Sequence, residues 1–215
     1  MKVVIFDMDG TLIDSKKDIT ISINYVRELN HNLPPLREDF IVEAINKEHR
    51  NLPKLFYETE IYEENDRELF EIHYETQCIK SPYLYVGIKE TLHELVACGV
   101  KISVATNAPT IFAKRMLKHL EVDHLFDMII GADKVKISKP DPQMLLEILN
   151  HYGFEKEKHQ AWMVGDNSKD MKSADNAGID SIFATWGFSQ NGQYNMVINM
   201  PKEILGIVLQ KYMIE

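Results

Sequence analysis

The stretch Lys2-Val3-Val4-Ile5-Phe6-Asp7-Met8-Asp9-Gly10-Thr11-Leu12 decides how this chain is read. A short apolar run rich in β-branched residues has the length of a buried strand. It stops at two aspartates spaced i, i+2, followed by glycine and threonine. Alternate residues of a strand point to one side, so Asp7 and Asp9 are expected to face a single site at its C-terminal end. Unpaired carboxylates there repel each other, and a hard cation is their natural neutraliser. One carboxylate can attack while the other moves a proton. Taken alone, the stretch also fits a strand running into an Asp-Gly turn.

After Leu12 the pattern changes. From Ser15 to about Pro82 the periodicity is helical, with no convincing strand. Ile19, Ile23, Val26 and Leu29 predict a first helix, closed by Asn32-Leu33-Pro34-Pro35. Phe40, Ile41, Ala44 and Ile45 predict a second, and Leu52, Leu55 and Phe56 a third with Pro53 in its first turn. A fourth is expected from Glu64 to Ile79, with Leu69, Phe70, Ile72 and His73 or Tyr74 inward. From Gly87 onward helix and strand alternate. Strands are expected at Lys101–Ala105, Met128–Ile130, Trp162–Val164 and Ser181–Ala184, with a short one at Asn195–Ile198. Helices are expected around Ile88–Val96, Pro109–Leu120, Pro142–His151, Ser168–Ala177 and Pro201–Tyr212. Such alternation indicates a parallel sheet covered on both faces. The expected organisation is an α/β core formed by residues 1–14 and 83–215, with an all-helical domain, 15–82, inserted into it.

In sheets of this type, ligands bind outside the carboxyl ends of the strands. Polar residues collect there: Asp7 and Asp9, then Thr106 and Asn107, then Asp166 with Asp170 one helical turn on. Lys139 lies between the last two groups, in Ser138-Lys139-Pro140-Asp141-Pro142. Each group alone fits an ordinary turn or helix entry; together they meet the needs of phosphoryl transfer. Asp7 is the candidate nucleophile and Asp9 the candidate acid and base. Thr106 Oγ and the Asn107 backbone N–H can hydrogen-bond the phosphoryl group. Lys139 can neutralise both Asp7 and the phosphoryl oxygens, and Asp166 can complete an oxygen-rich Mg²⁺ site.

The motifs DMDGTL (7–12), ATN (105–107), KP (139–140) and GDNSKD (165–170) resemble those of the haloacid dehalogenase-like (HAD) superfamily. The resemblance extends over nearly the whole chain. The segments 82–87, 139–142 and 173–178 look most like phosphoglycolate phosphatase-type members. The resemblance implies a Rossmann-like core with an inserted C1 cap that closes over the site, hinged at Asp14-Ser15 and Ser81-Pro82. It implies Mg²⁺ held by Asp7, the Asp9 backbone carbonyl and Asp166, with support from Asp170. It also implies an aspartyl-phosphate intermediate and a small phosphorylated metabolite as substrate. The presence of Asp9 favours phosphate esters over the dehalogenase and phosphonatase branches, where the second aspartate is replaced. Two departures weaken any transfer of phosphoglycolate itself: Ala108 stands where a lysine is frequent, and Asn167 where threonine or serine is. A phosphomutase resembling β-phosphoglucomutase is an alternative, with Arg50 of the polar segment 46–51 as a second phosphate clamp. A non-catalytic phospho-ligand binder on the same scaffold is another.

Bulk properties narrow the classes further. The 215 residues carry a formal charge of −9, from 24 Lys+Arg against 33 Asp+Glu. That balance argues against a sequence-independent nucleic-acid binder and against an anionic membrane surface. Only Cys78 and Cys98 occur, without zinc spacing, and the eight histidines form no HExxH motif. No apolar stretch approaches transmembrane length, and a strand beginning near Lys2 leaves no room for a signal peptide. A cytoplasmic monomer or homodimer is expected. Trp162 reads as packing, and Trp186-Gly187-Phe188 either as the mouth of the site or as a packed loop.

Overall fold

The computed structural model describes residues 1–47, 50–189 and 194–210. It divides into two compact units, Met1–Ile13 with Leu84–Glu215, and Asp14–Tyr83. The strands are β1 (Lys2–Phe6), β2 (Ile13–Asp14), β3 (Tyr83–Leu84), β4 (Lys101–Thr106), β5 (Met128–Gly131), β6 (Gln160–Gly165), β7 (Asp180–Ala184) and β8 (Val197–Ile198). Six of them form one sheet in the order β5-β4-β1-β6-β7-β8, and β2 pairs with β3 separately. No described helix is long and apolar enough to cross a membrane.

The unit Asp14–Tyr83 is helical: α1 (Lys16–His31), α2 (Glu38–Asn46), α3 (Leu52–Tyr57) and α4 (Glu64–Gln77). Its core joins Ile23, Val26, Ile41, Ala44, Phe56 and Tyr57. The inward faces carry more polar residues than apolar periodicity predicts. On α1, Asp18, Ser22 and Arg27 are buried beside Ile23 and Val26, while Leu29 is 57% exposed. On α4, Asp66 and Tyr74 are buried, and Ile72, expected inward, is 69% exposed. The reason is polar pairing between elements. Arg27 reaches the Pro34 and Phe56 carbonyls, and Asp66 accepts from Asn30 and His31 at 2.8 and 2.7 Å. A satisfied polar group can take an inward position that an apolar count would assign elsewhere.

The other unit holds the sheet and α5 (Ile88–Ala97), α6 (Thr110–His119), α7 (Gln143–His151), α8 (Ser168–Ala177) and α9 (Glu203–Val208). All pairings in the six-stranded sheet are parallel. The helix expected to reach Tyr212 ends within the described residues at Val208; Tyr212 lies outside them. Residues of β1 divide between the two faces. Val3 and Ile5 pack with Met144, Leu145, Ile148 and Leu149 of α7 and with Ala174 of α8. Phe6 points the other way and meets Phe126 edge-on, centroids 6.4 Å apart. Both faces are therefore dry, which is why β1, β4 and β6 are near-continuous apolar runs. β1 has β4 on one side and β6 on the other, so strand order reverses beside it. Such a reversal opens a crevice at the C-terminal ends of the strands.

Candidate active site

Four segments deliver side chains to that crevice. Asp7 follows β1 directly, and its N–H continues the ladder onto the Val164 carbonyl at 2.9 Å. β1 ends at Phe6, before either aspartate, so strand alternation does not place the pair. Residues 8–13 instead curl into a tight loop, with the Leu12 and Ile13 N–H groups donating to the Met8 carbonyl. Asp9 sits half-buried in this loop, its backbone bridged to Ile13. Gly10 turns the chain at φ +88°, and a Cβ there would collide with the Asp166 carboxylate. Only glycine meets both demands.

Lys139 lies in the segment before α7, next to the cis peptide Lys139–Pro140. The Asn107 side chain grips its backbone reciprocally: Lys139 N–H donates to Asn107 Oδ1, and Asn107 Nδ2 donates to the Lys139 carbonyl, each at 3.0 Å. So anchored, Lys139 is 4% exposed, and its ammonium is held within the site. It donates to Asp7 Oδ1 at 2.7 Å, to Asp170 Oδ1 at 2.6 Å and to the Ala105 carbonyl at 2.6 Å. Burial pulls its pKa down, but Asp170 and Asp7 outweigh burial and hold it above the ordinary lysine value.

Asp166 follows β6. Its Oδ1 accepts from Thr11 Oγ1 at 3.1 Å, and its Oδ2 from the Phe188 and Ser189 N–H groups at 2.7 and 3.3 Å. Trp186 Nε1 donates to the Thr11 carbonyl at 3.0 Å and pins this loop to the one after β1. A Cβ on Gly187 would strike both the Gly10 carbonyl and Asp166, so the loop can approach only through glycine. Residues 186–188 are half-buried; the loop packs on the one after β1 through Trp186 and donates to the site through the Phe188 N–H. Asp170 stands in the first turn of α8, in a capping box with Asn167, whose N–H it accepts at 3.1 Å. Burial first, then the neighbouring carboxylates, pushes the Asp166 carboxyl up to about 8. Burial also raises Asp170, to about 6, with Lys139 restraining the rise.

Asp7, Asp166 and Asp170 each offer an oxygen within 4.8 Å of the others. The Asp9 carboxylate is not among these oxygens; the contact expected of Asp9 is its backbone carbonyl. Once all are ionised, three carboxylates against one ammonium leave an excess of two negative charges in a buried pocket. An all-oxygen donor set with that excess suits a hard divalent cation such as Mg²⁺, so the residues present fit the group.

The phosphate-binding candidates are placed differently from one another. Thr106 ends β4, buried, and its hydroxyl accepts from the Ala108 N–H at 3.1 Å. The α6 N-terminus is already engaged by protein: Thr110 N–H and Oγ1 donate to Asp133 at 2.6 and 2.7 Å. Arg50 belongs to the helical unit, where it donates to the Lys47 carbonyl at 2.6 Å. Of the segment 46–51, residues 48 and 49 lie outside the described residues. The Phe188 and Ser189 donors and the Asn107 grip were not foreseen. Backbone donors from a distant loop leave no mark on composition, and an Asn-Lys pairing across 32 positions has no periodic signature.

The model of the haloacid dehalogenase-like hydrolases matches residues 4–184, and the chain belongs to that family. Within it, the chain is of the phosphoglycolate phosphatase type. It is 31% identical over 211 residues to the phosphoglycolate phosphatase of Aquifex aeolicus, covering 97% of each chain. It is 30% identical over 202 residues to that of Haemophilus influenzae strain 86-028NP, covering 88% of each. A crystal structure of a predicted phosphoglycolate phosphatase from Haemophilus somnus superposes with a TM-score of 0.82 at 26% identity, covering 96% of this chain and 97% of that one. A provisionally assigned β-phosphoglucomutase from Thermotoga maritima superposes with a TM-score of 0.72 at 26% identity, covering 97% and 99%.

Proposed function

We propose that this chain, a phosphoric monoester hydrolase, releases phosphate from a small phosphorylated metabolite through an aspartyl-phosphate on Asp7. The observation that carries the reading is the Lys139 ammonium held between Asp7 and Asp170, with Asp166 beside them. A carboxylate fixed by a buried cation keeps an oxygen aimed for in-line attack. A carboxylate oxygen of Asp7 bonds to phosphorus as the ester P–O bond breaks, and the Asp9 carboxyl gives its proton to the leaving alkoxide. The Asp9 carboxylate then takes a proton from water. The water oxygen bonds to phosphorus, the Asp7–phosphorus bond breaks, and inorganic phosphate leaves with Asp7 and Asp9 restored. Lys139, Thr106 and the Asn107 N–H would hold the phosphoryl oxygens. Asp7, the Asp9 carbonyl and Asp166, supported by Asp170, would hold Mg²⁺, which supplies charge neutralisation at the phosphoryl group.

Phosphate release from p-nitrophenyl phosphate with Mg²⁺ tests the reading. Asp7→Asn should lower turnover by at least about 10³-fold, the scale of losing a covalent nucleophile. Undiminished turnover in that variant would end the mechanism.

The likeness to the Thermotoga maritima structure favours a second reading, a sugar phosphomutase with Arg50 as second phosphate clamp. β-Glucose 1-phosphate separates the two: isomerised sugar phosphate supports the mutase, and free phosphate without isomer rejects it.

A further inference from the structure

The helical unit contains a cavity and a charged depression that share a wall. The cavity, about 250 Å³, lies among apolar side chains including Ile45, Phe56 and Phe70. The depression, about 620 Å³, is lined by Arg50 and Arg67. Leu52, Tyr62 and Arg67 line both. Among the described residues neither guanidinium is within ion-pair distance of a carboxylate. Of the acids that line the two, Glu60 is taken by Lys54 at 2.6 Å, and Asp66 is engaged through Oδ1 by the α1 side chains. Burial lowers the Arg50 pKa, with Tyr62 opposing; among the described residues its guanidinium meets the Lys47 carbonyl, at 2.6 Å, and no anion. Inside the cavity wall, Asp66 Oδ2 is buried without a hydrogen-bond partner, although Oδ1 accepts from Asn30 and His31.

We propose that the helical unit carries a ligand site of its own for a small organic anion with an aryl or short alkyl body. The anionic group sits on Arg50 and Arg67, whose forked donors suit a carboxylate or a phosphoryl group. The apolar body enters the cavity past Tyr62. A cavity of about 150 Å³ accepts a benzene ring, so this one holds a single ring or a short chain with room for a substituent. A donor on that substituent would satisfy Asp66 Oδ2. The site needs no residue at the sheet and stands whether or not phosphate esters are hydrolysed.

The test is calorimetric binding to the full chain without divalent metal, using phenylphosphonate, phenylacetate and inorganic phosphate. Phenylphosphonate and phenylacetate should bind, the tighter identifying the headgroup, and inorganic phosphate at least about tenfold more weakly, since it has nothing to bury. Arg67→Gln and Arg50→Gln should each weaken the aryl probes about tenfold, the scale of one charge-assisted hydrogen bond. Lys158→Gln, at an exposed position of the other unit, should leave them unchanged. Circular dichroism confirms that each variant is folded. Equal affinity in both arginine variants, binding of phosphate as tight as of phenylphosphonate, or no binding of either aryl probe overturns the proposal. Loss of p-nitrophenyl phosphate turnover is a separate result and does not bear on it.

Discussion

Buried carboxylates occur in both units, and they are treated in opposite ways. In the helical unit Asp18 and Asp14 stand apart, and each is met by donation from the far end of the segment. Asp18 accepts from Gln77 Nε2 at 2.7 Å and from the Ser81 N–H at 3.0 Å. Asp14 accepts from the Tyr83 hydroxyl at 2.7 Å and pairs with Lys16 at 2.9 Å. At the sheet, Asp7, Asp166 and Asp170 converge, and one lysine serves two of them. A solitary buried carboxylate with its own set of donors fastens chain segments together. Converging carboxylates raise one another's pKa and leave charge that the fold alone does not balance. Burial by itself does not mark a reactive group; convergence does.

The contrast can be broken most forcefully at Lys139. Lys139→Met leaves three buried carboxylates without their ammonium. It should cost about 3–5 kcal/mol in urea unfolding and abolish phosphate release. A variant as stable as the parent would mean that the carboxylates do not depend on this cation. Asp18→Ala probes the other kind of site. Losing two hydrogen bonds and stranding the Ser81 N–H should cost about 2–3 kcal/mol. The stabilisation produced by Mg²⁺ should be untouched in that variant, and a change in it would contradict the division drawn here. The gentlest probe is pH. Without metal, the folded protein keeps protons on Asp166 and Asp170 up to about 8 and about 6. The unfolded chain loses those protons near pH 4, so folded stability falls as pH rises through that window. A divalent cation competes with the same protons and should stabilise more at pH 8 than at pH 5. At ten times its Kd the gain is about 1.4 kcal/mol, a rise of about 3–5 °C in melting temperature. An equal rise at both pH values would detach the metal from these carboxylates.

The parallel sheet was legible because buried strands of this kind need no alternation; each is a short apolar block ending in a polar residue. The place of Asp7 and Asp166 after β1 and β6 was legible for the same reason. Lys139, before α7, and Asp170, in the first turn of α8, end no such block and were singled out by spacing and by resemblance. Asp9 shows where that logic stops. Its position depends on a loop closed by the Met8 carbonyl and on the turn at Gly10, and period-two reasoning does not describe a loop. In the helical unit the helices were legible but their facing was not. Ile72 and Leu29 fit the apolar stripe, yet Asp66, Ser22 and Arg27 hold the inward positions through pairings with residues far along the chain. Apolar periodicity measures water avoidance. It says nothing of a polar group that finds its partner only after folding.

The seam between β2 and β3 has a consequence for how such a protein can change over generations. The helical segment leaves and re-enters the chain through two adjacent strands, fastened by Tyr83 on Asp14 and by Ser81 on Asp18. A segment whose two ends meet can be lengthened, replaced or borrowed from a relative without opening the sheet. Inheritance can therefore rewrite one unit by recombination while the carboxylate cluster passes on unaltered.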